Sequence, residues 1–583
     1  MTLSSPPLSS PPEEVPRQGP ERRSPSQAEV TRRPHRWGLG SLFALVLGAF
    51  LALIFLRPVW DIDIFWHLAA GRAILDDGSI PSTDIFGLDP TRPWVPFQWG
   101  YEVLTELLYR ETGWAGVRLA HALVLLLSFW RFHGLFARLE IGGRERRGAA
   151  AALFTALLLV TYQDRINVRP DLMNLLGLSV VLPWMLPWRF SPGWRGSGEV
   201  PGGWAHVGIA AFMALWASVH AGGCFIALIL AAAVPLGAFM ERVWPSWRGQ
   251  TARVGEAPDL GVAVRRFVAL LLPCAVVPNF VTGSFHALFL VQSTGGLIGE
   301  WSPPIAYLFE ESVNPARAFV GLLPYLVMSS VIVMVVRHQV GKLTADSFGV
   351  AIGMMGLSLL YARFVYFAVP AVALLVAPLS NGASMTALPD MGRDGKYASD
   401  RWRRWGIAAG AALLLLGFWH TNVQSLHGGI ARLWSATQAP VDERRFPVAA
   451  ADYLEASGFE GTIFCHARYC SYLLHRLHPR IRTIIDGRLN VEPSVAEAVS
   501  FVAETRFTKL ERMDEEDRVL AILKDVRTDA LVLEWPSFGP KGPPCEWTLA
   551  FRGPGSEVWL SAERASALGL SVRHCGSLLS KSM

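Results

Sequence analysis

Eleven apolar stretches, several of them short for a membrane crossing, alternate with polar connections along this 583-residue chain. A helix needs roughly 17–25 apolar residues to span the hydrocarbon core. The runs near 39–56, 115–137, 148–162, 171–188, 204–219, 222–240, 263–279, 317–336, 347–361, 364–379 and 405–420 are read as spans. Two pairs come from single apolar stretches, 204–240 and 347–379, each too long for one crossing at about 1.5 Å of rise per residue. Breaks are expected at Ser218–Gly223 and at Arg363, where turn-prone or charged residues interrupt the run. Only 17% of residues are charged, against about 25% in soluble domains. The 22 Trp suit a chain with many membrane interfaces, where an indole buries its ring and keeps its N–H wet.

The charges fix an expected orientation. With the N-terminus cytoplasmic, the inner segments are 1–38, 138–147, 189–203, 241–262, 337–346 and 380–404, and they carry 22 Lys and Arg in 120 residues. The outer segments 57–114, 163–170, 220–221, 280–316 and 362–363 carry 7 in 107. This is the positive-inside asymmetry. The fold class expected is an α-helical polytopic membrane protein of about eleven transmembrane helices with a C-terminal extracytoplasmic α/β domain. Its parts are a disordered cytoplasmic tail over 1–36, a transmembrane domain over 37–421 with its first extracytoplasmic loop at 57–114, and a soluble domain over 440–583. The tail is rich in Pro, Ser, Glu and Arg and buries too little apolar surface to order. It is also too long and polar for the basic segment of a cleaved signal peptide, so the first apolar run reads as a retained helix. The expected location is the bacterial cytoplasmic (inner) membrane.

Within 440–583 the pattern alternates. Helices are expected at Val448–Ser457 and Tyr469–Arg476, and strands at Thr462–Cys465, Arg482–Asp486, Ala530–Glu534, Trp547–Phe551 and Glu557–Leu560. Cys224 and Cys274 sit in apolar runs and read as packing residues. Cys465, Cys470, Cys545 and Cys575 leave room for one or two disulfides in an oxidising compartment, with the pairing open. No phosphate-cradling glycine loop opens a helix, so a nucleotide cofactor has no motif behind it. No concentrated basic patch points to nucleic acid.

The first outer loop holds the most informative residues. Asp61 and Asp63 follow the first span almost directly, and Trp66–Leu75 has the pattern of an amphipathic helix at the membrane surface. Two carboxylates held there, partly desolvated, serve as general base or ligands for a divalent cation. The plainer reading is that one of them caps the helix. Arg165, Arg169, His220, Glu300 and Arg363 come from other outer connections, yet all fall on the same expected face. Arg grips a phosphate through two parallel N–H bonds, or else snorkels to lipid headgroups. His220 is read equally well as a satisfied helix-end imidazole. The Trp-rich stretches 94–101 and 184–204 read as interface belts.

This loop resembles the first extracytoplasmic loop of the polyprenyl-phosphate-dependent membrane glycosyltransferases, the GT-C superfamily, in its lipid A aminoarabinose and protein mannosyl transferase branches. Asp63 takes the place of the leading acid, and His67 stands where some relatives have Tyr. The stretch from Arg92 through Gln98 and Trp99 to Glu102 matches the later part of the loop. The chain is similar, too, to a large group of bacterial membrane proteins labelled glycosyltransferase-like. The matching residues are Asp61/Asp63/Trp66/His67, Ile80-Pro81/Thr83-Asp84/Phe86, Pro93-Trp94/Trp99, Arg169-Pro170, Leu215-Trp216-Ala217/His220, Glu300-Trp301 and Asp486-Gly487-Arg488. It departs from that pattern at Pro278-Asn279, where the order is reversed, and at Phe65, where the group often has Trp.

The resemblance implies a sugar moved from a polyprenyl-phosphate donor to an extracytoplasmic glycan, lipid or protein acceptor, in contact with membrane lipid. Asp63 and Asp61 would be catalytic, and Arg169, Arg165 and Arg363 would hold the phosphate. His67, Gln98, Trp99, His220, Glu300 and Trp301 would bind substrate. No metal ligand set is assigned. A turn held by an Asp–Arg pair is the plainer reading of Asp486-Gly487-Arg488. Two rival readings stand beside this one. In a non-catalytic lipid- or glycan-binding scaffold the acids would only cap. A transporter would place charges at mid-membrane, whereas these spans are mostly charge-free at their centres, with Arg131 near enough to an inner end to snorkel.

Overall fold

The computed structural model describes residues 47–48, 58–139, 141, 147–162, 165–190, 203–244, 259–294, 301–308, 322–326, 328–330, 344–382, 440–488, 527–534 and 547–570. The expected tail, the spans at 39–56, 317–336 and 405–420, Glu300, Cys545 and Cys575 lie wholly or largely outside the described residues.

The helical part comprises α1 (Asp63–Asp77), α2 (Trp99–Arg138), α3 (Arg147–Tyr162), α4 (Leu172–Met185), α5 (Gly203–Val219), α6 (Ala221–Val243), α7 (Leu260–Ala275), α8 (Phe280–Thr294), α9 (Ala345–Leu360) and α10 (Ala368–Gly382). Among the described residues, α2 and α6 are long and apolar enough to cross a membrane, and α7 with Phe280–Ala287 makes a third if this pair, bent by 95°, is one span. Helices of 10–17 residues cover five more of the expected spans, at Arg147–Tyr162, Leu172–Met185, Gly203–Val219, Ala345–Leu360 and Ala362–Ala377. α2 shows why such helices suit lipid. Val117, Leu125, Phe129, Phe132 and Phe136 form a buried stripe at helical spacing, while Leu119, Leu123 and Trp130 stand exposed on the other side.

Both expected interruptions are present. α5 ends at Val219 and His220 caps α6, accepting from the Gly223 N–H through Nδ1 at 2.9 Å. Between α9 and α10 the chain tightens into a 3-10 turn over Ala362–Phe367 that contains Arg363.

Three expectations are corrected. α1 does not lie at a surface. It is buried between the first part of α2 and the C-terminal domain, because it is apolar nearly all round, with Ile64, Phe65, Leu68, Ala69, Ala70 and Ile74 buried. The Phe65 ring meets Trp114, Phe446 and Tyr472 at 5.6, 4.6 and 5.0 Å. Second, the end of the first loop is helical: α2 starts at Trp99, and Gly113, at φ +62°, breaks it just before the apolar part. Only glycine adopts that backbone without strain. Third, Arg131 does not snorkel. Its Nε and Nη2 donate to the Ser179 hydroxyl and carbonyl on α4 at 3.0 and 3.1 Å.

The C-terminal part is a five-stranded sheet in the order β2-β1-β3-β5-β4, from β1 (Gly461–Cys465), β2 (Ile481–Thr483), β3 (Ala530–Glu534), β4 (Trp547–Gly553) and β5 (Ser556–Ser561), with α11 (Val448–Ala456), α12 (Ala467–Leu477) and α13 (Ala562–Ala567). β1 pairs in parallel with β2 and β3, while β5 runs antiparallel to β3 and β4. The central strand β3 reads as an unbroken apolar run from Ala530 to Leu533, as burial on both faces requires, while β5 buries the polar Ser556 and Glu557 as well. Ala530 to Leu533 and Ser556 to Leu560 are all buried. The expected strand at Arg482–Asp486 is shorter and earlier, Ile481–Thr483, ending opposite Ile463 although β1 runs on to Cys465 beside β3, and His466 then caps α12. Cys465 and Cys470 form a disulfide across that corner. Cys224 and Cys274 are free and buried, with sulfurs 3.5 Å apart.

The sheet domain is tied to the first loop by backbone. Val59 donates to the Pro440 carbonyl at 2.8 Å and accepts from Asp442 at 3.0 Å, and Thr483 donates to the Phe86 carbonyl at 3.0 Å. Arg72 of α1 adds a bond from Nη1 to the His475 carbonyl of α12 at 3.0 Å.

Candidate functional site

The acids come together with one of the expected guanidinium groups. Asp61 precedes α1 and Asp63 opens it, while Arg169 lies in the turn between α3 and α4, so the chain must fold to bring residues 108 apart into contact. Arg169 Nε donates to Asp61 Oδ2 at 2.5 Å, and its Nη2 stands 3.2 Å from Asp63 Oδ2. Asp61 Oδ1 accepts from the Asp63 N–H at 2.9 Å. Asp61 therefore does cap the helix and at the same time holds Arg169; the two readings of this residue combine. The carboxylates differ in access. The Asp61 side chain is 3% exposed and the Asp63 side chain 29%. Asp63 is the more accessible of the two.

Burial pushes the Asp61 carboxyl up to about 7, reinforced by the neighbouring charge of Asp63 and opposed by Arg169. Asp63 Oδ1 takes the Trp66 indole N–H at 3.4 Å. His67, one turn on, is buried, with Nδ1 3.4 Å from Glu102 Oε1 and its ring edge-on to Tyr101 at 4.9 Å. Burial, with Arg169 second, holds its imidazole well below its ordinary value and therefore neutral. His67 thus forms part of the wall behind the acids.

The other expected residues are distributed around this centre. Arg165 is buried with Nη1 3.6 Å from Asp171 Oδ2. Arg363 lies over the Trp301 ring at 4.7 Å. Arg363, Asp171 and Arg165 all act electrostatically on His220, and Arg169 and His220 act on His67, so these groups occupy one region. Trp99 donates from its indole to the Pro278 carbonyl at 3.1 Å, and Asn279 donates from its side chain to the Pro96 carbonyl at 3.3 Å, which sets the reversed Pro-Asn bend against the first loop. Gln98 stands at the start of α2, its carbonyl accepting from Glu102. Among the described residues no group of three or more His, Cys, Asp or Glu is arranged to hold a metal ion, and Asp61 already engages both oxygens.

Sequence reasoning missed the partners: Glu102 for His67, Asp171 for Arg165, and above all Asp84 for Arg488. Arg488 Nη1 lies 2.8 Å from Asp84 Oδ1, and its Nε and Nη2 grip Asp486 at 2.9 and 2.6 Å. Its guanidinium sits 4.7 and 4.8 Å from the ring centres of Phe86 and Trp94. Trp94 is therefore a docking ring and not part of an interface belt. The signal was available, since Asp84, Phe86, Trp94 and the Asp486–Arg488 triplet all belong to the pattern quoted above. Only their pairing was hidden.

No family model and no curated protein matches this sequence. Solved structures do. The archaeal oligosaccharyltransferase AglB from Archaeoglobus fulgidus, in complex with an inhibitory peptide and a dolichol-phosphate, aligns with a TM-score of 0.51 at 12% identity, over 85% of this chain and 69% of that one. ArnT from Cupriavidus metallidurans bound to undecaprenyl phosphate gives 0.45 at 14% identity, over 90% and 98%. The mycobacterial arabinofuranosyltransferase AftD gives 0.44 at 15%, over 89% of this chain and 41% of that one. At such identities the AglB match speaks for the fold alone. A helical body, a C-terminal α/β sheet and that match together give this chain a GT-C-like fold.

Proposed function

We propose that the chain is a multi-pass membrane glycosyltransferase that moves a sugar from a polyprenyl-phosphate donor to an acceptor on the extracytoplasmic side, with about eleven spans and the sheet domain on that same side. The observation that carries the reading is the meeting of Asp61, Asp63 and Arg169, drawn from two separate connections, at a site where only Asp63 keeps substantial access. Asp63 takes the proton of the acceptor hydroxyl. The hydroxyl oxygen bonds to the anomeric carbon, the bond from that carbon to the phosphate oxygen breaks, and its electron pair leaves with the lipid phosphate. Arg169, Arg165 and Arg363 offset the charge on that phosphate. Asp61 stays buried and holds Arg169 in line.

The structural neighbours named with lipid phosphates lend the donor class, and Arg chemistry suits it. The test is sugar transfer in membranes that carry Asp63→Asn. A positioned base contributes typically 10²–10⁴-fold, so turnover should fall by at least about 10²-fold at normal protein levels. Undiminished turnover removes Asp63 from the mechanism.

One observation favours a second reading, a non-catalytic lipid- or glycan-binding scaffold. Both oxygens of Asp61 are taken, by a backbone N–H and by Arg169, as in a purely structural cap. On that reading the double change Asp61→Asn with Asp63→Asn leaves glycan binding unaltered.

A further inference from the structure

The turn Asp486-Gly487-Arg488 follows β2 and comes from the sheet domain, yet it reaches the acids of the first loop. A Cβ built on Gly487 would fall 2.9 Å from Trp66 Cδ1, 2.9 Å from Ser471 Oγ and 3.1 Å from Asp63 Oδ1. Backbone therefore lies directly against the carboxylate and against the indole that donates to it. We propose that this turn is a positioning element of the acidic site: Arg488 locks it onto the first loop, and Gly487 fixes the direction in which Asp63 points. The proposal deepens the glycosyltransferase reading and rests on it for the chemistry of Asp63.

The lock is built from both sides. Asp84 is itself held, its Oδ1 accepting from the N–H groups of Phe86 and Gly87 at 3.0 and 3.1 Å, so it presents a fixed carboxylate to Arg488. Asp486 Oδ1 accepts from the Arg488 N–H at 2.8 Å as well as from Nε, which closes the turn on itself. The Arg488 side chain is 5% exposed, so removing the fork strands two buried acids. On the other side, the Gly487 N–H donates to Ser471 Oγ at 2.9 Å, and that hydroxyl donates to the Ala467 carbonyl in the first turn of α12. Asp63 is thus fixed from three directions: Arg169 on Oδ2, the Trp66 indole on Oδ1, and the Gly487 backbone against the same Oδ1. Placement of a base matters at this scale, because a shift of about 1 Å in a reacting group costs up to roughly 10²-fold.

The experiment uses the full chain in lipid nanodiscs and two readouts. The first is kinetic. Gly487→Ala keeps every charge but drives a methyl toward Trp66 and Asp63, so kcat should fall roughly tenfold to hundredfold while KM for the lipid donor stays within about twofold. Arg488→Lys should lie between wild type and Arg488→Met, since an ammonium keeps the charge and loses the fork. The second readout ignores activity: hydroxyl-radical footprinting at Trp66, read by mass spectrometry, should rise several-fold in Arg488→Met and stay constant at Trp301. An unchanged Trp66 footprint, or a wild-type kcat in Gly487→Ala, overturns the proposal. Should Arg488→Met fail to fold, Gly487→Ala decides by both readouts. Full turnover in Asp63→Asn would instead sink the base assignment, and the Trp66 footprint would still report whether the turn bears on that side chain.

Discussion

Asp61 and Asp63 differ by two positions and belong to different environments. Asp61 is sealed beneath Arg169, and Asp63 stands at the edge. Because burial holds the Asp61 proton up to about 7, sugar transfer should rise with pH across that region as the carboxylate forms and aligns Arg169. Asp61→Asn should flatten the rise, which a pH–rate profile of kcat will show. The sign for stability is opposite. The folded chain holds this proton more tightly than an unfolded aspartate at 3.8, so the contribution of Asp61 is present at low pH and lost between 3.8 and about 7. Thermal midpoints of wild type and Asp61→Asn should therefore diverge over that window. The sequence marked these acids, and it marked Arg169, because both sit in short motifs beside span ends. It left Glu102 and Asp171 unmarked, since a carboxylate inside or at the start of a helix looks like any solvated Glu or Asp until its partner arrives.

At the scale of elements, the break at His220 and the strands β1 and β3 were legible for a local reason: turn-prone residues interrupt an apolar run, or an apolar run is too short for a helix. α1 was misjudged because its second covering face comes from α12, hundreds of residues away. That contact makes a prediction. Arg72 joins α1 to the His475 carbonyl, and its Nε reaches Glu106, which is buried and also held by Arg110 at 2.9 Å. Arg72→Ala takes the donor from the buried His475 carbonyl, while Glu106 Oε1 keeps its bond from Arg110, a loss of about 1–3 kcal/mol. Differential scanning of the purified protein should show a lower midpoint, and Arg72→Lys should restore part of it.

For the whole molecule, sidedness is the prediction that matters. On the layout proposed from the charge asymmetry and the eleven expected spans, the sheet domain would lie outside the cytoplasm, where the Cys465–Cys470 disulfide would form without competition from cytosolic reductants. Alkaline phosphatase fused after Met583 should be active in the periplasm, and a fusion active only in the cytosol would reverse the layout. The Val59 bridge, the Phe86 bond and the Arg72 bond join residues 59–86 to residues 440–483. During synthesis the first-loop helix is therefore made about four hundred residues before the surface that covers it. Until the ribosome has delivered α12, Phe65 has Trp114 of α2 beside it but lacks the rings of Phe446 and Tyr472. A chain cut before residue 440 never receives that cover, and the apolar side of α1 left open should make such a fragment prone to aggregate.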